Sequence, residues 1–228
     1  MDRHLTSSQV VSDALESAFT TPARNLTKSR GKNIHRFASV KMGHRVSVES
    51  TLEFDACFHF DFVKSITRFC SQPIRYTYVL DGKKHKYVPD FLVEFDSGEF
   101  ILYEVKSDFE ISKSDFKREF EAKRLAAKRL GVELELIEES QIRVAPLLNN
   151  LKLIHRYASR SDLTATQQLV LSIFRRFGSL NVNTLISKTG ISKPYIMPII
   201  CDLLSKCLLD TNLEVPITAD TTLELSYA

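Results

Sequence analysis

Asp90, Glu104 and Lys106 are the residues of this 228-residue chain whose types and spacing point most directly to chemistry. Glu104 and Lys106 lie two apart, so the two-residue period of a strand sends both side chains to one face. The stretch that carries them, Phe100-Ile101-Leu102-Tyr103-Glu104-Val105-Lys106, is otherwise apolar. Ile101, Tyr103 and Val105 fall on one face and Phe100 and Leu102 on the other, the pattern of a central, buried strand. Asp90 arrives in the run Tyr87-Val88-Pro89-Asp90-Phe91-Leu92-Val93, and the Asp96-Ser97-Gly98 between the two runs is turn chemistry, so they read as a hairpin. Two carboxylates and an ammonium thus meet at one end of a buried sheet. Charges so placed are costly unless paired or bound to a metal. The plain alternative is a structural ion pair or a wetted strand end.

The elements that must position these groups follow from periodicity. A first helix runs from Ser7 or Ser8 to about Phe19, with Val10, Val11, Leu15 and Ala18 on its apolar side. Ser50 starts a second helix to about His59, and Glu53 three residues on makes a capping box with it. Ile66 to Phe69 and Ile74 to Tyr78 alternate as strands, and Asp81-Gly82 is a hairpin turn. A helix from about Ser112 to Leu130 places Phe116, Phe120, Ala127 and Leu130 in a narrow apolar arc. Its lysines and arginines occupy much of the remainder, as a solvated face or one that tracks a polyanion. Gly131 closes it, and Val132 to Leu136 alternates as a strand with one wet face. Strand, helix, strand makes the Glu104 and Leu134 strands parallel neighbours.

Pro-Asp at a strand start, Glu-Val-Lys closing the next strand and a long basic helix after it together resemble the PD-(D/E)xK nucleases. The expected fold class is α+β, with a restriction-endonuclease-like central mixed sheet flanked by helices. That resemblance implies that Asp90 and Glu104 hold a divalent metal and that Lys106 supports an attacking water. The hard oxygen ligands suit Mg2+, with Mn2+ as a substitute. The Val105 carbonyl is a candidate third ligand, and Glu53 would reach the same metal or a second one.

Composition excludes other classes. No apolar run is long enough to span a bilayer, and the polar N-terminus has no signal-peptide core, which points to a cytoplasmic protein with no membrane partner. Cys57, Cys70, Cys201 and Cys207 show no Cys-x-x-Cys spacing and are expected as buried free thiols. His44, His59, His85 and His155 lack metal-like spacing. From Pro22 to Val48 there is no Asp or Glu, whereas Arg24, Lys28, Arg30, Lys32, Arg36, Lys41 and Arg45 all fall there. This segment is expected as an extended arm that grips DNA phosphates, against the alternative of a solvated linker.

Residues 1–160 therefore form an expected endonuclease domain with its basic arm at about 22–48. Residues 161–228 change texture: three short helices (Thr164 to Phe177, Val182 to Lys188, Ser192 to about Lys206), then strands near Leu208 and Leu223. This is the pattern of a small winged helix-turn-helix domain. Its third helix carries Tyr195, Ile196, Met197, Ile199 and Ile200 in place of groove-reading polar residues, with Pro198 set to kink or delay it. From Asp162 onward five Lys/Arg face six Asp/Glu. Protein docking is favoured over DNA binding for this domain.

With these residues assembled, the chain resembles the TnsA family, the endonuclease subunits of heteromeric cut-and-paste transposases. Ser50-Thr51-Leu52-Glu53, Phe60-Asp61-Phe62-Val63, Gln72-Pro73, Pro89-Asp90-Phe91-Leu92-Val93 and Glu104-Val105-Lys106 carry the likeness. The resemblance places the family's helical glutamate at Glu53 rather than Glu49, its metal-binding aspartate at Asp90 and its catalytic lysine at Lys106. It implies cleavage of the non-transferred strands at transposon 5′ ends, with a TnsB transposase and a TnsC ATPase as partners beside transposon-end DNA. Two other readings stay open: a nuclease-like adaptor between DNA and the ATPase, and a stand-alone restriction or repair nuclease.

Overall fold

The computed structural model describes residues 7–23 and 33–226. The chain divides into two compact units, Met1–Ile142 and Arg143–Ala228. The first runs α1 (Ser7–Ala18), β1 (His35–Ala38), β2 (Arg45–Val48), α2 (Thr51–Phe62), β3 (Ile66–Ser71), β4 (Tyr76–Leu80), β5 (Lys83–Tyr87) and β6 (Phe91–Phe95). It continues with β7 (Phe100–Lys106), α3 (Asp108–Ile111), α4 (Phe116–Arg129), β8 (Glu133–Glu138) and α5 (Glu139–Ile142).

A four-stranded sheet of order β3-β6-β7-β8 is its centre. The first three strands are antiparallel, and β8 runs parallel to β7, with Glu104 opposite Leu136 and Lys106 opposite Glu138. Because side chains alternate across a strand, each face of the sheet recruits its own cover. Phe69 and Phe91 pack against Phe60 of α2 in tilted and edge-on arrangements, with ring centroids 5.5 and 5.0 Å apart. On the other face Cys70, Leu92, Leu102 and Leu134 join one apolar cluster with Leu15 and Ala18 of α1, Ala126 and Ala127 of α4, and Tyr76, Tyr78 and Tyr87 of the β4–β5 hairpin. Leu102 is fully buried there, worth about 2 kcal/mol against exposure. The mixed sheet with helices on both faces is compatible with the restriction-endonuclease-like architecture.

Three elements differ from expectation. The run from Tyr87 to Val93 is not one strand: Tyr87 ends β5 opposite Tyr76, and β6 begins at Phe91. Pro89 has no N–H to give a ladder, which is why the pairing breaks there and leaves Asp90 in the gap. The helix expected from Ser112 starts later, at Phe116, and a separate short α3 precedes it, opened by a capping box of Ser107 with Glu110. Within the basic segment, residues 35–48 form a β1–β2 hairpin, not an extended arm; Phe37, Val46 and Val48 face inward, and Arg36 and Arg45 face out.

The second unit holds α6 (Leu147–Tyr157), α7 (Ala165–Phe177), β9 (Leu180–Asn181), α8 (Val182–Thr189), α9 (Lys193–Ser205), β10 (Leu209–Asp210) and β11 (Thr222–Leu225). The three strands form an antiparallel sheet of order β10-β11-β9. The two-residue β9 has no counterpart in the sequence pattern. Helix α6 packs on α9, so the units divide after Ile142 and not at 160–161. Ile196 and Ile200 are fully buried, and Met197 and Ile199 pack on the same core. Of the five apolar residues that suggested a docking face on α9, Tyr195 alone is well exposed, at 72%. Pro198 is accommodated inside the helix. Cys207 is exposed rather than buried, whereas Cys57, Cys70 and Cys201 are buried thiols.

Candidate active site

The break between β5 and β6 sets Asp90 rigidly. Its N–H donates to the Tyr103 carbonyl (3.0 Å), and its own carbonyl accepts from the Gln72 N–H (2.9 Å). Its carboxylate Oδ2 accepts from the Val105 N–H at 2.8 Å. Gln72, which precedes Pro73, reaches Asp90 from a left-handed backbone conformation (φ 51°). That geometry costs a non-glycine residue about 1 kcal/mol and is held by the surrounding structure.

Glu104 projects from β7 and is 3% exposed. Three donors hold it. Tyr87 donates its hydroxyl to Oε2, while Oε1 meets the Lys106 ammonium at 3.1 Å and the Lys123 ammonium at 3.4 Å. Lys106 also stands 3.9 Å from Asp90 Oδ2, so one ammonium bridges both carboxylates. The structure thus brings Asp90, Glu104 and Lys106 together.

Glu53 lies at the start of α2, with Ser50 as N-cap. Ser50 caps the helix by accepting from the Glu53 N–H (3.0 Å). The Glu53 carboxylate, however, accepts from the Glu49 N–H (3.0 Å) and the Ser50 hydroxyl (2.8 Å), so the reciprocal bond to the Ser50 N–H that a full capping box requires is absent. Burial raises its pKa, against the lowering pull of those bonds and of Lys106. Its charge in turn is felt at Asp90.

Electrostatically the group is under-supplied with positive charge. Burial, and then the neighbouring Glu104, push the Asp90 carboxyl up to about 8. Burial alone would lower the Lys106 ammonium, but the charges of Asp90 and Glu104 outweigh it and raise its pKa. A carboxyl that resists ionisation at neutral pH beside a second carboxylate is what a hard cation relieves. Among the described residues no three or more His, Cys, Asp or Glu gather into a metal cage. Two carboxylates with a main-chain oxygen nevertheless suit an ion such as magnesium, which keeps several of its waters. The donor set fits.

These side chains open into a cleft of about 640 Å3 lined by Glu49, Gln72, Arg75, Lys86, Tyr87, Val88, Asp90, Glu104, Lys106 and Lys123. Glu49, set aside in favour of Glu53, is the glutamate of that pair that lines it. Arg24, Lys28, Arg30 and Lys32 lie outside the described residues. Arg36 and Arg45 are exposed on the β1–β2 hairpin. The Lys41 ammonium instead donates to the Val63 and Ile66 carbonyls at 2.7 and 2.5 Å, a fastening within the fold.

Two site residues were missed. Lys123, assigned to a solvated or DNA-tracking face, is 8% exposed and lies 4.5 Å from the Tyr87 ring centre, with Glu119 as a second partner at 3.0 Å. Its signal was present: 116, 120, 123, 127 and 130 are spaced four, three, four and three, so Lys123 sits inside the apolar arc of α4. Tyr87 carries no signal in the sequence beyond its place at the start of the Tyr87–Val93 run. Burial first, then the Glu104 charge, raise its pKa far above the ordinary phenol range, so its hydroxyl stays a proton donor.

A family model described as the TnsA-like endonuclease N-terminal domain matches residues 64–139. That span contains Asp90, Glu104, Lys106, Tyr87 and Lys123. No curated protein matches the chain.

Proposed function

From a chain that carries a TnsA-like endonuclease domain, we propose a metal-dependent endodeoxyribonuclease that cuts the non-transferred strands at the 5′ ends of a transposon. The observation that supports it most is the meeting of Asp90, Glu104 and Lys106 at one end of the sheet, with Lys106 between the carboxylates. Asp90 and Glu104 would hold Mg2+, or Mn2+ in its place, with the Val105 carbonyl as a third ligand and Glu53 through water. When bound, the ion supplies charge to polarise the scissile phosphate and the incoming water.

The chain's own residues do the rest. The Val105 N–H and the Asp90 main-chain bonds keep the Asp90 carboxylate aimed along the sheet end. Tyr87 and Lys123 fix Glu104 in one rotamer, as hydrogen-bonded carboxylates beside a metal usually are. Lys106 remains protonated at neutral pH, so it stabilises negative charge that builds on the phosphate rather than acting as a base. The second unit, with three helices and an antiparallel sheet, is read as a winged helix that docks to a TnsC-type ATPase, with a TnsB-type transposase cutting the 3′ ends.

The test is a reconstituted nicking reaction on a plasmid that carries transposon ends, with transposase and ATPase present and nicks mapped to the nucleotide. Nicks at the 5′ ends that need magnesium or manganese, and that vanish in Asp90→Ala, are the expected result. Cutting by the chain alone would make it a stand-alone nuclease. No cutting with any metal, beside intact partner binding, would leave an adaptor.

A further inference from the structure

The outer face of the β4–β5 hairpin carries cations that the fold itself does not use. In antiparallel pairing, directly opposed residues share a face. Thr77 lies opposite Lys86 and Val79 opposite Lys84, and Arg75 stands two residues before Thr77 on the same side. Arg75, Thr77, Val79, Lys84 and Lys86 are all exposed, whereas Tyr76, Tyr78 and Tyr87 point inward to the core beside α4. The hairpin is thus a ribbon with an apolar underside and a basic top.

Its neighbours sharpen the contrast. On α4, Lys123 pairs with Glu104 and Glu119, Arg124 with Glu121, and Arg118 with Asp81. That last pair occupies Asp81, the hairpin's own acidic residue between 75 and 88, and ties its tip to α4. Among the described residues, none of Arg75, Lys84 or Lys86 makes an ion pair. Arg75 and Lys86 also line the cleft that holds Asp90 and Glu104. The unpaired charge therefore runs without interruption into the candidate active site.

We propose that this face is a phosphate-binding ribbon for DNA, with Arg75, Lys84 and Lys86 on the backbone that leads the scissile bond to Asp90 and Glu104. Strand geometry puts Lys84 and Lys86 about 7 Å apart along the ribbon, so they reach different phosphates. Such phosphate pairings position a strand and carry no sequence information, which leaves recognition of the transposon end to other surfaces. The inference rests on the DNA-endonuclease reading, but its test does not depend on cleavage.

The full chain bearing Asp90→Asn is titrated with a fluorescent duplex over a range of salt concentrations. It is compared with the same chain carrying Arg75→Gln, Lys84→Gln and Lys86→Gln, and with one carrying Lys128→Gln and Arg129→Gln on α4. Circular dichroism checks that all three are folded. The hairpin variant is expected to bind roughly tenfold or more weaker at low salt, with a slope of log affinity against log salt shallower by about 2 to 3, at about 0.9 for each phosphate no longer neutralised. The α4 variant is expected to change little. An unchanged slope in the hairpin variant, or weakening confined to the α4 variant, overturns the proposal and leaves the face to an acidic protein partner. Wild-type nicking is read separately. Nicking with hairpin-independent binding sinks this inference alone, whereas hairpin-dependent binding without nicking sinks the nuclease reading alone.

Discussion

Both units bury an acidic side chain against a lysine, and the two sites behave oppositely. In the second unit Asp202 accepts from the Ser159 N–H (2.7 Å), the Gln167 amide (2.5 Å) and the Lys206 ammonium (2.8 Å to each oxygen). Burial would raise its pKa, but the bonds from Lys206, Ser159 and Gln167 outweigh it and the pKa is lowered. In the first unit Asp90 has one N–H and a distant shared ammonium, with Glu104 beside it, and is pushed up. A satisfied buried carboxylate is a fastening. A crowded one is held ready for something that is not part of the chain.

Asp90→Asn breaks this comparison most sharply. Nicking should fall on the order of a thousandfold or more, the loss of several kcal/mol of transition-state stabilisation. Stability should move the other way. With metal chelated, folded Asp90 binds its proton up to about pH 8, whereas the unfolded chain releases it near 3.8. The folded state thus binds more protons across that window, and wild-type stability declines as pH rises through it. Asparagine lacks the penalty, so its thermal midpoint should exceed the wild type's by more at pH 8 than at pH 5. Magnesium should close the gap by raising the wild type alone. A constant gap would show that Asp90 is not electrostatically frustrated.

Asp202→Ala should do the reverse. It strips Lys206 and Gln167 of a buried partner, at a cost of about 3 kcal/mol in unfolding free energy. Asp202 is depressed in the fold, so its contribution is present above the unfolded value near 3.8 and is lost as pH falls. Denaturant unfolding at pH 7 and pH 3 measures both. The variant should be weaker than wild type at pH 7, and the difference should narrow as pH falls toward 3. Magnesium should have no influence on the difference.

The legibility of the two sites in the sequence follows the same division. Strand β7 showed itself through its period of two, and its parallel partner β8 through the helix between them. Glu104 and Lys106 were therefore placed on one face without any structure. Asp90 stands out through its neighbour Pro89, whose missing N–H also breaks the strand, so the same residue that marks the site hides where β6 begins. Lys123 was hidden because a charge on a helix reads as solvated, although its spacing belongs to the apolar arc. The Asp202 network was invisible. Gln167 and Ser159 reach it from distant points in the chain, and nothing in local periodicity joins them. Strand β9 was missed likewise, since two residues carry no period and their pairing with β11 is remote.

The finest prediction separates two supports of Glu104 that look alike in the fold. Lys123→Met removes a charge 3.4 Å from Oε1, while Tyr87→Phe removes a neutral donor from Oε2. If Glu104 needs only orientation, either loss lets the carboxylate swing and both variants should slow nicking equally. If it needs its charge balanced, the lysine matters more. The site's charge favours the second case, because Asp90 already resists ionisation beside Glu104. Lys123→Met should thus cost about tenfold in nicking rate and shift the magnesium needed for half-activity, within the span usual for groups that support metal ligands. Lys123→Arg should recover part of it. Tyr87→Phe, which forfeits one hydrogen bond and keeps the ring under Lys123, should cost roughly threefold with no shift in the magnesium requirement. Equal losses in the two variants, with the magnesium requirement unmoved in both, would make Lys123 a packing residue and leave the charge balance to Lys106.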